Sequence, residues 1–234
     1  MTRPLEHEIS HRPDFALLRV RLRPHQEILV EPTAMATMTS GVTLRSGIRG
    51  SLRAALGRAF GGEHLLINTF SGGPGGGELT LAPGPAGDLV HYALRGQSLY
   101  LQRGAFVACQ EEVTVSGSFQ GARGFFSGEG VILLRASGQG DLFFSSYGAI
   151  LAIDVTEDYI VDTGYVVAFE DSLAYDVTVL PGLTVSSKLK SLLFGGEGLV
   201  CRFRGRGKVW IQTRTVNPFL AFVHPYRRRR RGPS

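Results

Sequence analysis

The segment FGGEGLVCRFRGRGKVWIQT, residues Phe194–Thr213, sets a glycine-rich turn ahead of two runs of strand-forming residues. The first run is LVCRFRG and the second is KVWIQT, with a short glycine turn between them. Related segments follow FGGE at Phe60–Glu63 and FSGEG at Phe126–Gly130. Glycines and β-branched residues in this order are typical of short strands joined by tight turns. Three copies at nearly even spacing predict an internal repeat.

A second motif also occurs three times, and each copy predicts a strand, a polar turn and another strand. The copies are LVEPTAMAT, YLQRGAFVAC and IVDTGYVVAF, at Leu29–Thr37, Tyr100–Cys109 and Ile160–Phe169. The chain opens on this motif and closes on the first one. This order predicts two complete units, residues 45–115 and 116–185, and a third unit in which residues 186–224 are completed by residues 15–44.

The predicted fold is therefore all-β, with three repeated β-sandwich units related by pseudo-threefold symmetry. The N-terminal segment completes the third unit, so the units close into a ring and cover strand edges that would otherwise stay unpaired. In this prediction residues 15–224 form a single compact domain. An N-terminal arm, residues 1–14, precedes it, and an arginine-rich tail, residues 225–234, follows it.

Composition supports a folded protein and places its excess charge in the tail. The chain has 234 residues, of which 43% are hydrophobic, so it can bury a sizeable core. The formal net charge of +5 equals the five arginines Arg227–Arg231, so the rest of the chain is formally neutral. That balance argues against a nucleic-acid-binding surface spread over the whole domain. No apolar run is long enough for a transmembrane helix and no signal peptide is evident, so we expect a soluble cytoplasmic protein.

The residue types that usually carry catalysis or bind metals are scattered. Cys109 and Cys201 lie in no metal-ligand spacing, and we expect both to be small buried side chains. The six histidines form no zinc motif, and no serine nucleophile motif occurs. The sequence therefore predicts a non-enzymatic protein with no catalytic residue, metal ligand or cofactor site to assign.

Several stretches together resemble the altered-inheritance-of-mitochondria proteins and their bacterial relatives. They are VEPTAMATM, FGGEHLLINTF, LYLQRGAF, GFFSGEGVILLRASGQGDLFFSSYGAI, VDTGYVVAFE and LFGGEGLVCRFRGRGKVWIQTR. The resemblance implies a fold similar to the tryptophan RNA-binding attenuation protein, repeated within one chain, and assembly into homo-oligomers. Mitochondrial members of the family are linked to organisation of the inner membrane, and no enzymatic activity comes with the resemblance. No residue of this chain matches a tryptophan or RNA ligand.

The glycine turns carry three glutamates that the repeat would place in equivalent positions. These residues are Glu63, Glu129 and Glu197, with the neighbouring glycines Gly62, Gly128 and Gly196. The carboxylates could act as acids in a site or form a ring of oxygen ligands for a metal. A carboxylate in such a turn more often caps nearby backbone N–H groups or pairs with an arginine. We therefore expect a structural role for the glutamates, and a turn-forming role for the glycines.

Basic residues precede each glycine turn and also make up the tail. They are Arg58, Arg123, Lys188, Lys190, Arg227, Arg228, Arg229, Arg230 and Arg231. Basic groups beside apolar side chains suit an anionic lipid surface or the backbone of a single-stranded nucleic acid. Solvated surface cations, with a disordered tail, would produce the same pattern.

Three functions follow from these features. The first is a non-enzymatic scaffold or binding protein that forms homo-oligomers and contacts an anionic membrane surface. The second is a nucleic-acid-binding protein that uses the arginine tail and the basic residues before the turns, which the neutral domain makes the weaker hypothesis. The third is an enzyme or small-ligand sensor with a site between the repeats, which a deep pocket with converging carboxylates or histidines would support.

Overall fold

The computed structural model describes residues 3–46, 67–117, 133–180 and 199–227. Nearly all the regular structure in these ranges is β-strand, and one α-helix lies near the C-terminus. The predicted all-β class is therefore confirmed.

The first segment of the fold contains seven strands. They are β1 (Glu6–Ser10), β2 (Leu17–Leu22), β3 (Glu27–Val30), β4 (Met35–Met38), β5 (Val42–Ser46), β6 (Asn68–Gly72) and β7 (Gly77–Leu81). All pairs within it are antiparallel: β2 and β4 flank β7, while β3 and β5 flank β6. Strand β1 adds to the free edge of β2, so five residues of the predicted N-terminal arm belong to this sheet.

The middle segment has the same order of pairing in five strands. They are β8 (Leu89–Arg95), β9 (Leu99–Gln102), β10 (Phe106–Gln110), β11 (Val113–Gly117) and the long β12 (Leu133–Ser145). The first half of β12 pairs with β9 and β11, and the second half pairs with β8 and β10. One continuous strand thus takes the place that β6 and β7 share in the first segment.

The last segment repeats the scheme with six strands before the helix α1. They are β13 (Ile150–Val155), β14 (Tyr159–Asp162), β15 (Val166–Glu170), β16 (Ala174–Val179), β17 (Leu199–Arg204) and β18 (Gly207–Gln212), followed by α1 (Val216–Val223). Strands β13 and β15 flank β18, and β14 and β16 flank β17. The register shifts by one residue at matching places in β4, β10 and β15.

The prediction that residues 15–44 complete a unit with residues 186–224 is wrong. Strands β2 to β5 pair with β6 and β7 of their own segment. Strands β17 and β18 pair with β13 to β16. Each segment is a continuous stretch of the sequence in which an early strand, β2, β8 or β13, pairs with the last strand, β7, β12 or β18. Within the described ranges no strand pair joins the first segment to the last, so strand pairing does not close the predicted ring.

The hydrophobic cores run across the boundaries between segments. One buried cluster contains Leu29 of the first segment, Phe144 of the middle segment and Trp210 of the last. A second cluster joins Phe70 to Phe143, and a third joins Leu133 to Phe203. Because neighbouring segments share buried apolar side chains, they are packed parts of one body rather than separate domains.

Strand β12 bends where it passes from one group of partners to the other. Gly138 and Gly140 have backbone φ angles of +119° and +147°, which L-residues with a side chain rarely adopt. A Cβ atom on Gly138 would also lie 2.4 Å from the carbonyl oxygen of Glu112. The short glycine turn that the motif places between its two strands is therefore a bend inside one continuous strand here, at Gly138–Gly140.

Candidate functional site

Most of the residues singled out from the sequence lie outside the described residues. This holds for Glu63, Glu129, Glu197, Gly62, Gly128, Gly196, Arg58, Arg123, Lys188, Lys190, Arg228, Arg229, Arg230 and Arg231. Arg227 is described, and it is exposed directly after the C-terminal helical region. The structural role expected for the glutamates and the contact role expected for the basic residues remain predictions.

The helix α1 is the feature of this region that the sequence analysis missed. It has the sequence VNPFLAFV, begins after Thr215 and carries Pro218 in its first turn, where a missing N–H costs no helical hydrogen bond. A short 3₁₀ turn, His224–Tyr226, follows it. The sequence signal for it is the apolar run VNPFLAFV between the last strand and the arginines.

Helix α1 exposes apolar side chains instead of burying them. None of its eight residues is buried. The exposed fractions are 57% for Val216, 49% for Phe219, 55% for Leu220 and 69% for Phe222. Tyr226, in the 3₁₀ turn, is 78% exposed. An ordinary amphipathic helix of a globular protein turns such side chains toward the core, so this exposed apolar surface is the candidate functional site.

A few contacts hold the helix beside the junction of the middle and last segments. The Phe219 ring meets the Tyr147 ring edge to face, with centroids 6.1 Å apart. Just before the helix, the Arg214 N–H donates to the Tyr147 carbonyl oxygen at 3.2 Å. Phe222 lies against Tyr226 at a centroid distance of 5.9 Å. The helix is therefore attached at its base, while the outer side chains face solvent.

The most conspicuous group of ionisable side chains elsewhere surrounds Asp141, which is buried. The His91 Nε2 lies 2.7 Å from its Oδ1, and the Leu5 N–H donates to its Oδ2 at 2.6 Å. Burial raises the pKa of Asp141, but these hydrogen bonds outweigh burial and leave the pKa below its usual value. The His7 ring packs 4.4 Å from the His91 ring. Through the Leu5 N–H, this cluster connects the residue just before β1 to strand β12 of the middle segment.

The two thiols are buried and poorly suited to nucleophilic chemistry. Burial raises the pKa of Cys109 well above its usual range, and raises the pKa of Cys201 to about 12. The expectation that both cysteines are buried is confirmed, and both are free. Within the described ranges, no group of three or more His, Cys, Asp or Glu side chains is arranged to hold a metal ion.

One open cleft lies between the first and middle segments, with a volume of about 500 Å³. Most of its lining residues are small or apolar, including Pro32, Ala34, Pro83 and Phe106. Its carboxylate, Glu31, is engaged by Thr33, whose backbone N–H donates to Glu31 Oε2 at 3.1 Å. Glu31 is the one acidic residue among the described residues that line this cleft, and no histidine is among them.

Comparisons with known proteins agree with this picture of the fold. The chain is 28% identical over 228 residues to an uncharacterized protein of Streptococcus pyogenes serotype M6, covering 93% of this chain and 89% of that protein. An X-ray crystal structure of a Streptococcus pyogenes protein superimposes with a TM-score of 0.76 at 28% identity, covering 95% of this chain and 100% of that one. Residues 7–214 match the family model for mitochondrial biogenesis AIM24. The chain therefore belongs to the mitochondrial biogenesis AIM24 family.

Proposed function

We propose that this protein is a non-enzymatic, homo-oligomeric scaffold built from three structural repeats, which works in the cytoplasm and attaches to anionic membrane surfaces. The observation that carries the proposal is the exposed apolar helix α1 directly ahead of the five arginines Arg227–Arg231. Within the described ranges, no helix has the length and apolar character needed to cross a bilayer. Attachment would therefore be interfacial.

The chemistry of α1 matches the boundary between lipid headgroups and acyl chains. Valine, leucine and phenylalanine side chains gain free energy by leaving water, about 1.5–3 kcal/mol for each one fully buried. Arginines next to an anionic leaflet add about 1 kcal/mol each. A single weak interfacial signal gives reversible binding, whereas an apolar anchor combined with a basic cluster gives stable attachment.

The same features favour lipid over nucleic acid. A single-stranded nucleic acid would engage the arginines and could stack on Phe222 and Tyr226, both of which are exposed. It offers no apolar phase for Val216 and Leu220, which are more than half exposed. Because the rest of the chain is formally neutral, nucleic-acid binding would also have no extended basic face to use.

The test is co-sedimentation with vesicles of phosphatidylcholine alone or with added phosphatidylglycerol. We expect the full chain to bind the anionic vesicles and to release as salt is raised. A chain that ends at Pro225 lacks all five arginines, so its affinity should fall at least 100-fold. Phe222→Ser should lower the affinity of the full chain about 10- to 100-fold, because the lost burial of one aromatic side chain is worth about 1.5–3 kcal/mol.

The matched control is Leu151→Ser, which changes a half-exposed apolar side chain on β13, outside α1 and the arginine tail. Its vesicle binding should equal that of the unaltered chain. Equal binding of single-stranded RNA by the unaltered chain and Phe222→Ser, with no vesicle binding, would contradict the proposal and support nucleic-acid binding. An intact affinity in the chain ending at Pro225 would also contradict it.

A further inference from the structure

Two pairs of strands join the three segments to one another, and equivalent strands make both of these joints. Strand β10 pairs antiparallel with β3, and strand β15 pairs antiparallel with β9. At the first joint Cys109 lies opposite Leu29, and at the second Phe169 lies opposite Tyr100. Each joint thus links the strand after the polar turn of one segment to the strand before the polar turn of the preceding segment.

The side chains at these joints are apolar and closely packed. Cys109 and Leu29 belong to one buried core cluster. The Phe169 and Tyr100 rings stack with centroids 5.1 Å apart and an interplanar angle of 22°. All of β10 is buried, and β15 is buried except for its last residue. The joints are therefore continuous with the cores of the segments that they connect.

The first and the last segment each contain one strand that is equivalent to a strand of these joints but does not take part in one. Strand β4 has the same place and the same register shift as β10 and β15. Strand β14 has the same place as β3 and β9, before the polar turn. Among the described strands, β4 pairs only with β7, and β14 pairs only with β17. Among the strands that the structure describes, each therefore has a partner on one edge only.

Strand β4 is also more exposed than its counterparts β10 and β15, and β14 is more exposed than its counterparts β3 and β9. All four residues of β4 are exposed, and β14 buries only Val161. The exposed fractions are 43% for Met38 and 44% for Ile160, the residues that correspond to the paired positions Cys109 and Leu29. Neither strand carries the lysine or proline that usually protects a free edge.

The backbone directions on both edges suit pairing. The Thr39 N–H donates to the Glu78 carbonyl oxygen at 2.9 Å, so alternation turns the Met38 N–H away from β7. At the first internal joint, the Glu31 N–H donates to the Val107 carbonyl oxygen at 2.8 Å. By the same alternation the Leu29 N–H faces β10, and Ile160 is its counterpart in β14. Met38 and Ile160 thus present outward-facing donors and acceptors.

We infer that β4 of one copy pairs antiparallel with β14 of a second copy, in the register that places Met38 opposite Ile160. This interface names the surface through which the proposed homo-oligomer assembles, and it rests on that part of the proposed function. The two surfaces differ, so the contact is head to tail. Such a contact propagates until a ring closes, or grows as a filament when the rotation does not close.

Proline substitutions test the interface without removing a hydrogen bond of the chain's own sheet. Met38→Pro and Ile160→Pro each delete an outward-facing N–H, and proline is tolerated on such edges. By native mass spectrometry we expect the unaltered chain to form oligomers and each proline variant alone to be a monomer. Met38→Thr and Ile160→Thr, which retain the N–H, should weaken assembly less. Thermal unfolding of each variant verifies that the fold is kept.

Mixing the two proline variants distinguishes this interface from any other. Met38→Pro retains a working β14 and Ile160→Pro retains a working β4, so the mixture should form a one-to-one dimer and nothing larger. Met38→Cys and Ile160→Cys should likewise crosslink only with each other on oxidation, since opposed residues in such a pair have Cα atoms about 5.5 Å apart. The native thiols Cys109 and Cys201 are buried and do not compete.

Several outcomes would overturn the inference. They are a monomeric unaltered chain, proline variants that keep the size of the unaltered oligomer, and a mixture that remains monomeric. Vesicle binding by monomeric Ile160→Pro is measured alongside, because α1 is intact in it. Binding with failed assembly would reject the interface alone, whereas assembly without binding would reject membrane attachment alone.

Discussion

Phe169→Ala should destabilise the protein by about 3–5 kcal/mol, the usual cost of removing a fully buried aromatic side chain. Phe169 is 1% exposed, and its ring lies 5.1 Å from Tyr100, 4.9 Å from Tyr175 and 5.1 Å from Phe203. It therefore supports both the core of the last segment and the joint with the middle segment. Chemical denaturation followed by circular dichroism would measure the change in the free energy of unfolding.

A control substitution in the same segment shows whether the loss of stability comes from buried packing or from the loss of any apolar side chain. Leu151 lies on β13 and is 50% exposed, so Leu151→Ala should cost no more than about 0.5 kcal/mol. If Phe169→Ala cost as little as Leu151→Ala, the stacked joint between β9 and β15 would not be the packed interface described above.

Asp141→Ala should cost about 3 kcal/mol at neutral pH, because two partners of a buried carboxylate lose their acceptor at about 1–3 kcal/mol each. The partners are the Leu5 N–H and the His91 ring. Release of the N-terminal strand should appear as faster proteolysis near Leu5. The control is Asp154→Ala, whose carboxylate pairs with Lys208 at 2.6 Å but is 77% exposed, so its loss should cost about 0–1 kcal/mol.

At acid pH, the unaltered chain and Asp141→Ala should differ much less in their free energy of unfolding than at neutral pH. The folded-state pKa of Asp141 is lowered by its hydrogen bonds, so its stabilisation is fully present above the unfolded value of about 3.9. That stabilisation is lost as the pH falls through the lower folded value. Unfolding free energies measured from pH 7 downward should therefore converge below about pH 4. A gap that stays constant or widens would contradict this account of the cluster.

The sequence was sufficient to predict the all-β class and the turn-and-strand motifs, because glycine spacing and β-branched runs are local signals. It did not predict which strands close a segment. An early strand of each segment pairs with the last strand of that segment, as β2 does with β7. Alternation of apolar residues is the same whichever partner a strand takes, so the predicted units began ahead of the glycine turns, at residues 45, 116 and 186, instead of before β8 and β13.

The candidate surface was only half predictable. The five consecutive arginines, Arg227–Arg231, are visible in the sequence and account for its excess positive charge. Helix α1 was missed because an apolar run such as VNPFLAFV predicts burial, and only the structure shows that Phe222 is 69% exposed. The Asp141 cluster joins residues far apart in sequence, so no local spacing could have revealed it.

The unbroken strand β12 also determines how the ends of the molecule are connected mechanically. Through β10 its second half leads to the first segment, and through β9 its first half leads to the last segment. A force applied between the open edges of β4 and β14 would therefore be transmitted along this strand as well as through the cores that the segments share. Because the strand is continuous and the cores are shared, the three segments do not move independently of one another.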